Sequence, residues 1–280
     1  MLRLLYITND EKIALTAEKA GVDWIFIDLE VKGKEQRQKG RNTVISAHSI
    51  NDIKKIKKVL TTSKVMVRIN PIGEWSREEI DNVVNAGADI IMLPYFKTVI
   101  EVDKFLHFID KRVESCLLVE TMDSVKEINT IVNLDGIDYI HIGLNDIHIE
   151  RKTDFMFEFL ADGYIDELAK NIKAKKIPFG FGGVAYMESE LLPLAKDVIA
   201  EHYRVGSSGV ILARSFIDSS SIENYEEFES EFISKVKSLR ELEKRLVAKD
   251  VEFFKQNKKI VRQDTYKVRD IIRKNRKGNS

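Results

Sequence analysis

The chain has 280 residues, with 45 Lys and Arg balanced by 45 Asp and Glu, so its formal net charge is zero. A neutral chain has no global field to draw it to nucleic acid or to an anionic membrane surface, and neither is expected as a partner. The length suits one large α/β domain or two small ones. A single cysteine, Cys116, lies inside an apolar run and has no partner for an internal disulfide. That points to a reducing compartment, and burial makes the thiol a poor nucleophile. The first apolar run is cut off by Asn9-Asp10-Glu11-Lys12, too early for a signal peptide or a membrane span, so a cytoplasmic protein is expected.

In chain order, short apolar runs alternate with helical patterns. Residues 4–7 form the first run; Thr8-Asn9-Asp10 supplies a cap, and Ile13, Leu15, Ala17 and Ala20 carry a helical pattern to a stop at Gly21. The second run, Trp24-Ile25-Phe26-Ile27, is apolar throughout, as a parallel strand covered on both faces requires, and ends in Asp28-Leu29-Glu30. Residues 31–49 are polar and charged without periodicity, which reads as a lid or binding loop, or else as a disordered segment. A helix over 50–60 leads to a third strand, 65–69, where Arg68 interrupts the apolar run. A guanidinium there is costly unless it meets an anion, and a structural salt bridge is the competing explanation.

The pattern continues with a helix over 78–87, a strand over 89–93 stopped by Pro94, and a helix over 99–110. Strands five and six are 116–119 and 139–142, with a helical segment between them. Past the aromatic stretch Phe155, Phe157 and Phe159 come a helix over 166–174 and a strand over 178–181. Gly182-Gly183 follows, where backbone amides can approach a ligand closely. A helix over 187–202 and a strand over 209–213 complete eight βα periods. These predict an α/β fold, a (β/α)8 TIM barrel over residues 1–220, with a doubly wound open sheet as the alternative. Residues 221–257 read as a charged helical extension. Its stripe of Phe228, Phe232, Val236 and Leu239 would pack on the barrel or on a neighbouring subunit. Residues 258–280 hold nine Lys or Arg and two Asp, and are expected to form a basic, mostly disordered tail.

The chemistry gathers after strands five and six, where one run ends in Glu120 and the other in the turn Gly143-Leu144-Asn145-Asp146. Loops that follow parallel strands share one face, so Glu120 and Asp146 are expected to emerge together at its mouth. Two oxygen ligands with room for water and substrate suit Mg²⁺ or Mn²⁺. Taken singly, Glu120 could cap a helix and Asp146 could hold a turn.

Read together, DWIFIDLE, VMVRINP, GADIIMLPYFKT, LLVETMDSVKEINTIVNLDGIDYIHIGLNDI and GVILARSF resemble the HpcH/HpaI aldolase and citrate lyase β-subunit superfamily, in order over about residues 21–216. The most specific part is Glu-Thr after strand five, then an Asp-Gly-Ile-Asp turn and an Ile-Gly-x-x-Asp after strand six. The resemblance implies a metal-dependent (β/α)8 enzyme in which Glu120 and Asp146 are the divalent metal ligands. Arg68 would face the oxo and carboxylate oxygens of the substrate, and the amides of Gly143, Leu144, Asn145 and Asp146 its carboxylate. It implies pyruvate or oxaloacetate, with a carbon–carbon bond made or broken beside the keto group against an aldehyde; the citrate lyase branch acts on acyl-CoA thioesters instead. It also implies a homo-oligomer, and leaves Mg²⁺, Mn²⁺ and Co²⁺ open.

One departure concerns proton transfer. Many of these aldolases carry a histidine directly after the acidic residue that follows strand two; here Glu30 is present but the next position is Val31. His48 is the candidate substitute, since a neutral imidazole suits general-base work, against the alternative of a solvent-facing loop histidine. His141 reads as a core residue, and His148 as a candidate lining of the mouth. Three functions therefore stand: a class II aldolase or lyase, an acyl-CoA lyase using Lys32, Lys34, Arg37 and Lys39 for the nucleotide end of CoA, and a barrel without turnover that binds ligands or assembles.

Overall fold

The structure is a computed structural model that describes residues 1–33, 47–219 and 222–278. Its eight strands follow one another in chain order around a closed parallel barrel, β1-β2-β3-β4-β5-β6-β7-β8, with helices between them, so the open doubly wound sheet is not the fold. The chain divides into two compact units, Leu4–His141 and Met1–Arg3 together with Ile142–Ser280.

In the first unit, β1 (Arg3–Ile7), β2 (Trp24–Asp28), β3 (Lys64–Arg68), β4 (Ile90–Leu93) and β5 (Glu114–Val119) alternate with α1 (Glu11–Ala20), α2 (Ile50–Val59), α3 (Ser76–Ala86) and α4 (Val99–Ile109). β2 and β4 are buried at every residue, which is why their sequences are apolar on both faces. The parallel register pairs Trp24 with Lys64 and runs on to pair Asp28 with Arg68, so the last residues of two neighbouring strands stand side by side. Cys116 is fully buried in β5, and burial pushes its thiol pKa well up, so it is a packing residue. After β5 come α5 (Met122–Lys126) and α6 (Ile128–Ile131), and then β6 (Tyr139–Ile142), which spans the end of this unit.

Glu18, near the end of α1, closes the turn before β3. Its carboxylate accepts the backbone N–H groups of Thr61, Thr62 and Ser63. Partial burial works against its charge, but those amides and the Thr61 hydroxyl outweigh it and lower the pKa from 4.5 to about 2. A depressed carboxylate pKa contributes stability above the unfolded value and loses it as pH falls through the folded one. Denaturant titrations of wild type and Glu18→Gln at a series of pH values should therefore show a stability gap that is full above pH 4.5 and closes towards pH 2. A gap independent of pH would show that the amides gain nothing from the ionised form.

The second unit holds α7 (Leu144–Arg151), α8 (Glu158–Ala161), α9 (Tyr164–Ala174), β7 (Phe179–Val184), α10 (Ala195–Val205) and β8 (Gly209–Leu212). β7 runs through both glycines that the sequence reading placed beyond it. The space at Gly182 is taken by protein: φ is +54°, and a Cβ there would sit 2.9 Å from Leu144 Cδ1. α10 begins at Ala195, well after residue 187, because Pro193 cannot donate within a helical turn and Leu194 is the cap.

α11 (Tyr225–Leu246) buries Phe228, Phe232, Val236 and Leu239, with Phe216 edge-on to Phe232, so the expected stripe is covered by the chain itself. α11 is also tied to the start of the chain: Glu243, fully buried, accepts the Leu2 N–H and is paired with Arg240, which donates to the Leu2 carbonyl.

Residues 251–278 form one helix, α12 (Val251–Gly278), where a mostly disordered tail was expected from 258. Asn257, Val261 and Thr265, spaced by four, form its buried edge. Asn257 donates to the Asp197 carbonyl and to Glu201, Lys258 pairs with Asp166, Tyr266 reaches Asp162, and Arg273 and Arg276 pair with Asp154. These acids lie far away in sequence, which is why composition alone misjudged the segment. Among the described residues, no helix is long and apolar enough to cross a membrane.

Candidate active site

The site in the first unit is built on the ends of β2, β3 and β5. Arg68 forms a two-point pair with Asp28, Nε to Oδ1 and Nη2 to Oδ2, each at 2.8 Å. Glu30 Oε2 stands 3.4 Å from Nε, and the guanidinium lies 5.5 Å from the centre of the Phe26 ring. Asp28 and Glu30 are each only 2% exposed, and such a fork in a poorly hydrated site is strong and directional. Burial opposes the charge on Arg68; Asp28 first, then Glu30 and Glu120, outweigh it and raise its pKa, so the arginine is permanently cationic. Of the two explanations the sequence left open for Arg68, the structure supplies a salt-bridge partner, and that partner is Asp28.

His48 does not hang in solvent. It is half-buried, and its Nδ1 accepts the backbone N–H of Asp28 at 3.0 Å. A backbone amide only donates, so Nδ1 carries the lone pair and the neutral ring holds its proton on Nε2. In this arrangement His48 is a donor, and general-base work at Nδ1 would require it to release the amide.

Glu120 follows β5 and is 3% exposed; its Oε1 accepts the Tyr95 N–H at 2.9 Å. Tyr95 adopts a left-handed backbone, φ 50°, an unfavourable conformation for a residue with a Cβ. The cap of α5 is Thr121, whose hydroxyl accepts the Ser124 N–H and donates to the Phe96 carbonyl. Glu120 is therefore not spent on capping.

In the second unit, Gly143 caps α7, and Leu144, Asn145 and Asp146 form its first turn. Leu144 is buried against Gly182, whereas Asn145 and Asp146 are half-exposed, with Asp146 at the end of the helix that favours negative charge. His148 sits in the last turn, where its ring bonds Thr153, and His141 is buried within β6. Val31, at the position where the resemblance expects histidine, is half-exposed. Lys32 packs its ammonium 4.2 Å from the Trp75 ring centre; Lys34, Arg37 and Lys39 lie outside the described residues, as does most of the expected lid.

Among the described residues, no group of three or more His, Cys, Asp or Glu is placed to hold a metal. Glu120 in the first unit and Asp146 in the second are both carboxylates, and hard oxygen donors of this kind suit Mg²⁺ or Mn²⁺. One oxygen of Glu120 is fixed by a main-chain donor, the kind of support that would orient a carboxylate if it held an ion.

Residues 3–156, just over half of the chain, match the family model HpcH/HpaI aldolase/citrate lyase. The chain belongs to this family. The matched stretch contains Asp28, Glu30, Arg68, Glu120 and the Gly143–Asp146 turn. The comparison with curated proteins gives no match.

Solved structures carry the same fold. An HpcH/HpaI aldolase from Desulfitobacterium hafniense DCB-2 is 12% identical with a TM-score of 0.59, covering 86% of this chain and 93% of that one. A citrate synthase, SbnG, is 14% identical with a TM-score of 0.56, covering 75% and 84%. A citrate lyase from Burkholderia xenovorans LB400 is 14% identical with a TM-score of 0.57, covering 96% and 93%. At these identities the likeness is one of fold.

For this HpcH/HpaI family chain, the sequence reading proposed Arg68, Glu30 and Glu120 and noted Asp28 beside Glu30 after the second strand, but it did not pair Asp28 with Arg68 and gave no role to Asn70 or Tyr95. Asp28 had a usable signal: two adjacent buried strands each end in a charged residue of opposite sign. Tyr95 had none, because its part is played by a backbone amide.

Proposed function

We propose that this chain is a divalent-metal-dependent aldolase or carbon–carbon lyase that acts on a 2-oxo acid, pyruvate or oxaloacetate, with an aldehyde as the second substrate. The observation that carries the reading is a permanently charged arginine, locked by a buried carboxylate at the end of β3, in one cluster with Glu30 and Glu120. Glu120 and Asp146 would hold Mg²⁺, Mn²⁺ or Co²⁺. When bound, the ion supplies electrophilic stabilisation of the negative charge that develops on the keto oxygen.

The remaining steps belong to the chain. Two of the five N–H donors of Arg68 are engaged by Asp28, which fixes the plane of the guanidinium and presents its other donors to a substrate oxyanion. Glu30, 3.4 Å from Nε, shares that charge. The first-turn amides of α7, at Leu144, Asn145 and Asp146, are suited to the substrate carboxylate, as a helix N-terminus is. His48, with its proton on Nε2, would donate a hydrogen bond to the oxygen derived from the aldehyde. The same reading includes a cytoplasmic homo-oligomer.

The test is exchange of the methyl protons of pyruvate for deuterium, followed by NMR. Exchange should be lost on chelation, return with Mg²⁺, Mn²⁺ or Co²⁺, and stay at background in Glu120→Gln and in Asp146→Asn. Full retention in either variant would reject these ligands. Competition by CoA against pyruvate would instead favour the acyl-CoA lyase, and binding of 2-oxo acid without exchange or bond cleavage would favour a ligand-binding protein.

A further inference from the structure

We propose that Asn70 is a positioning residue, which fixes the backbone of Glu30 and so aims its carboxylate at Arg68; the catalytic part of the proposal rests on the reading above. Asn70 is almost fully buried two residues beyond Arg68, at the end of β3. Its Oδ1 accepts the N–H groups of Val31 and Lys32, at 3.0 and 2.8 Å. On its other side, its backbone N–H and Nδ2 both donate to Glu79 Oε1 on α3, at 3.1 and 2.6 Å.

The consequence lies in which peptide planes are held. The Glu30 N–H donates to Asp28 Oδ1 at 3.2 Å, which fixes the plane before Glu30. The Val31 N–H belongs to the plane after it, and Asn70 fixes that one. Both soft dihedrals of Glu30 are thereby set, and with them the direction of its side chain. Asp28 therefore serves twice, gripping Arg68 with both oxygens and Glu30 through its amide. Lys32 adds a second tie to the same connection, its ammonium resting on Trp75, the residue before α3.

Glu79 determines which way the Asn70 amide faces. A carboxylate only accepts, so Nδ2 turns to Glu79 and Oδ1 is left for the two amides. Glu79 Oε2 is buried and has no hydrogen-bond partner among the described residues, and burial raises the pKa of this carboxyl. Keeping a half-satisfied acid beside Asn70 has a cost, and the orientation of Asn70 is what that acid provides.

The polarity of this relay gives a reciprocal test. Asn70→Asp would put an acceptor against the Glu79 carboxylate, and adding Glu79→Gln would supply an amide nitrogen for the new carboxylate and keep an amide oxygen for the backbone N–H of residue 70, with the total charge unchanged. In the exchange assay, Asn70→Ala and Asn70→Asp should lower kcat about 10- to 100-fold with KM within about twofold, the range for groups that orient a catalytic residue. Asn70→Asp/Glu79→Gln should recover kcat to within about threefold of wild type, against the tenfold or greater loss expected of Asn70→Asp alone.

Two measurements do not depend on turnover. Hydrogen exchange of the Val31 and Lys32 amides should be faster in Asn70→Ala and Asn70→Asp and return to wild-type rates in the double variant. The NMR signal of the Arg68 Nε–H, which donates to Asp28 Oδ1 with Glu30 Oε2 3.4 Å away, should move and return in the same order. Unchanged amide protection in Asn70→Ala, or a double variant no better than Asn70→Asp, would overturn the proposal. So would lost protection with kcat and the Arg68 signal both unaltered. If wild type exchanges no pyruvate protons, the reading of function fails, and the amide and arginine signals alone decide the clamp.

Discussion

Arg68→Met should cost the protein both its turnover and several kcal/mol of stability. On the proposed function, the loss of turnover would follow from removing a fixed positive group from the place where negative charge develops, which in comparable sites costs about 10²–10³ in kcat. The loss of stability follows from Asp28, which is buried and accepts two of its hydrogen bonds from this guanidinium. Breaking a buried pair by removing one partner costs about 3–5 kcal/mol, because the remaining charge stays out of water. The two effects separate in the double variant. Asp28→Asn/Arg68→Met should regain much of the stability in denaturant titrations and none of the exchange activity. Arg68→Lys keeps the charge but not the planar fork, so it should fall between wild type and Met in both measurements. An Arg68→Met protein with wild-type stability and exchange would remove this cluster from both the fold and the chemistry.

Glu243→Ala should be the most damaging change away from the site. Glu243 accepts the Leu2 N–H at 2.6 Å, the Tyr203 hydroxyl at 3.0 Å and Arg240 Nη1 at 2.8 Å, and is fully buried. Truncation strips the partner from a backbone amide, a phenol and a guanidinium at once, for a cost of about 3–5 kcal/mol. Part of this should return in Arg240→Leu/Glu243→Leu, since an apolar pair can replace a buried ionic one, but the Leu2 amide would still lack an acceptor. The denaturation midpoint, compared across the three proteins, checks the order. A Glu243→Ala midpoint within error of wild type would mean that Glu243 does not stabilise the hold of α11 on the first residues.

The barrel was legible in the sequence because its strands are covered on both faces. Runs such as Trp24-Ile25-Phe26-Ile27 have no polar face to blur their limits, and glycines such as Gly21 and Gly87 end helices in the left-handed region. The basic end of the chain was not legible, because its helix is held by Asp154, Asp162 and Asp166, contacts that no local window contains. The candidate site divides along the same line. Arg68 announced its need for an anion, but only the strand register identifies Asp28 as the one it has. Asn70, between Ile69 and Pro71, looks like an ordinary turn residue; its part depends on two amides just beyond the end of the neighbouring strand β2 and on a glutamate from the next helix. His48 was ambiguous because the group that orients its Nδ1, the Asp28 N–H, is 20 residues away in sequence.

The sole sulfhydryl of this chain is sealed in the middle of β5, with its proton held tightly by the absence of water. A thiol-reactive dye therefore finds its target only when the sheet itself comes apart, so the labelling rate of an otherwise unmodified protein counts global opening events. Every variant discussed above that keeps Cys116 carries this internal clock, and its ticking can be compared among them with no probe engineered in.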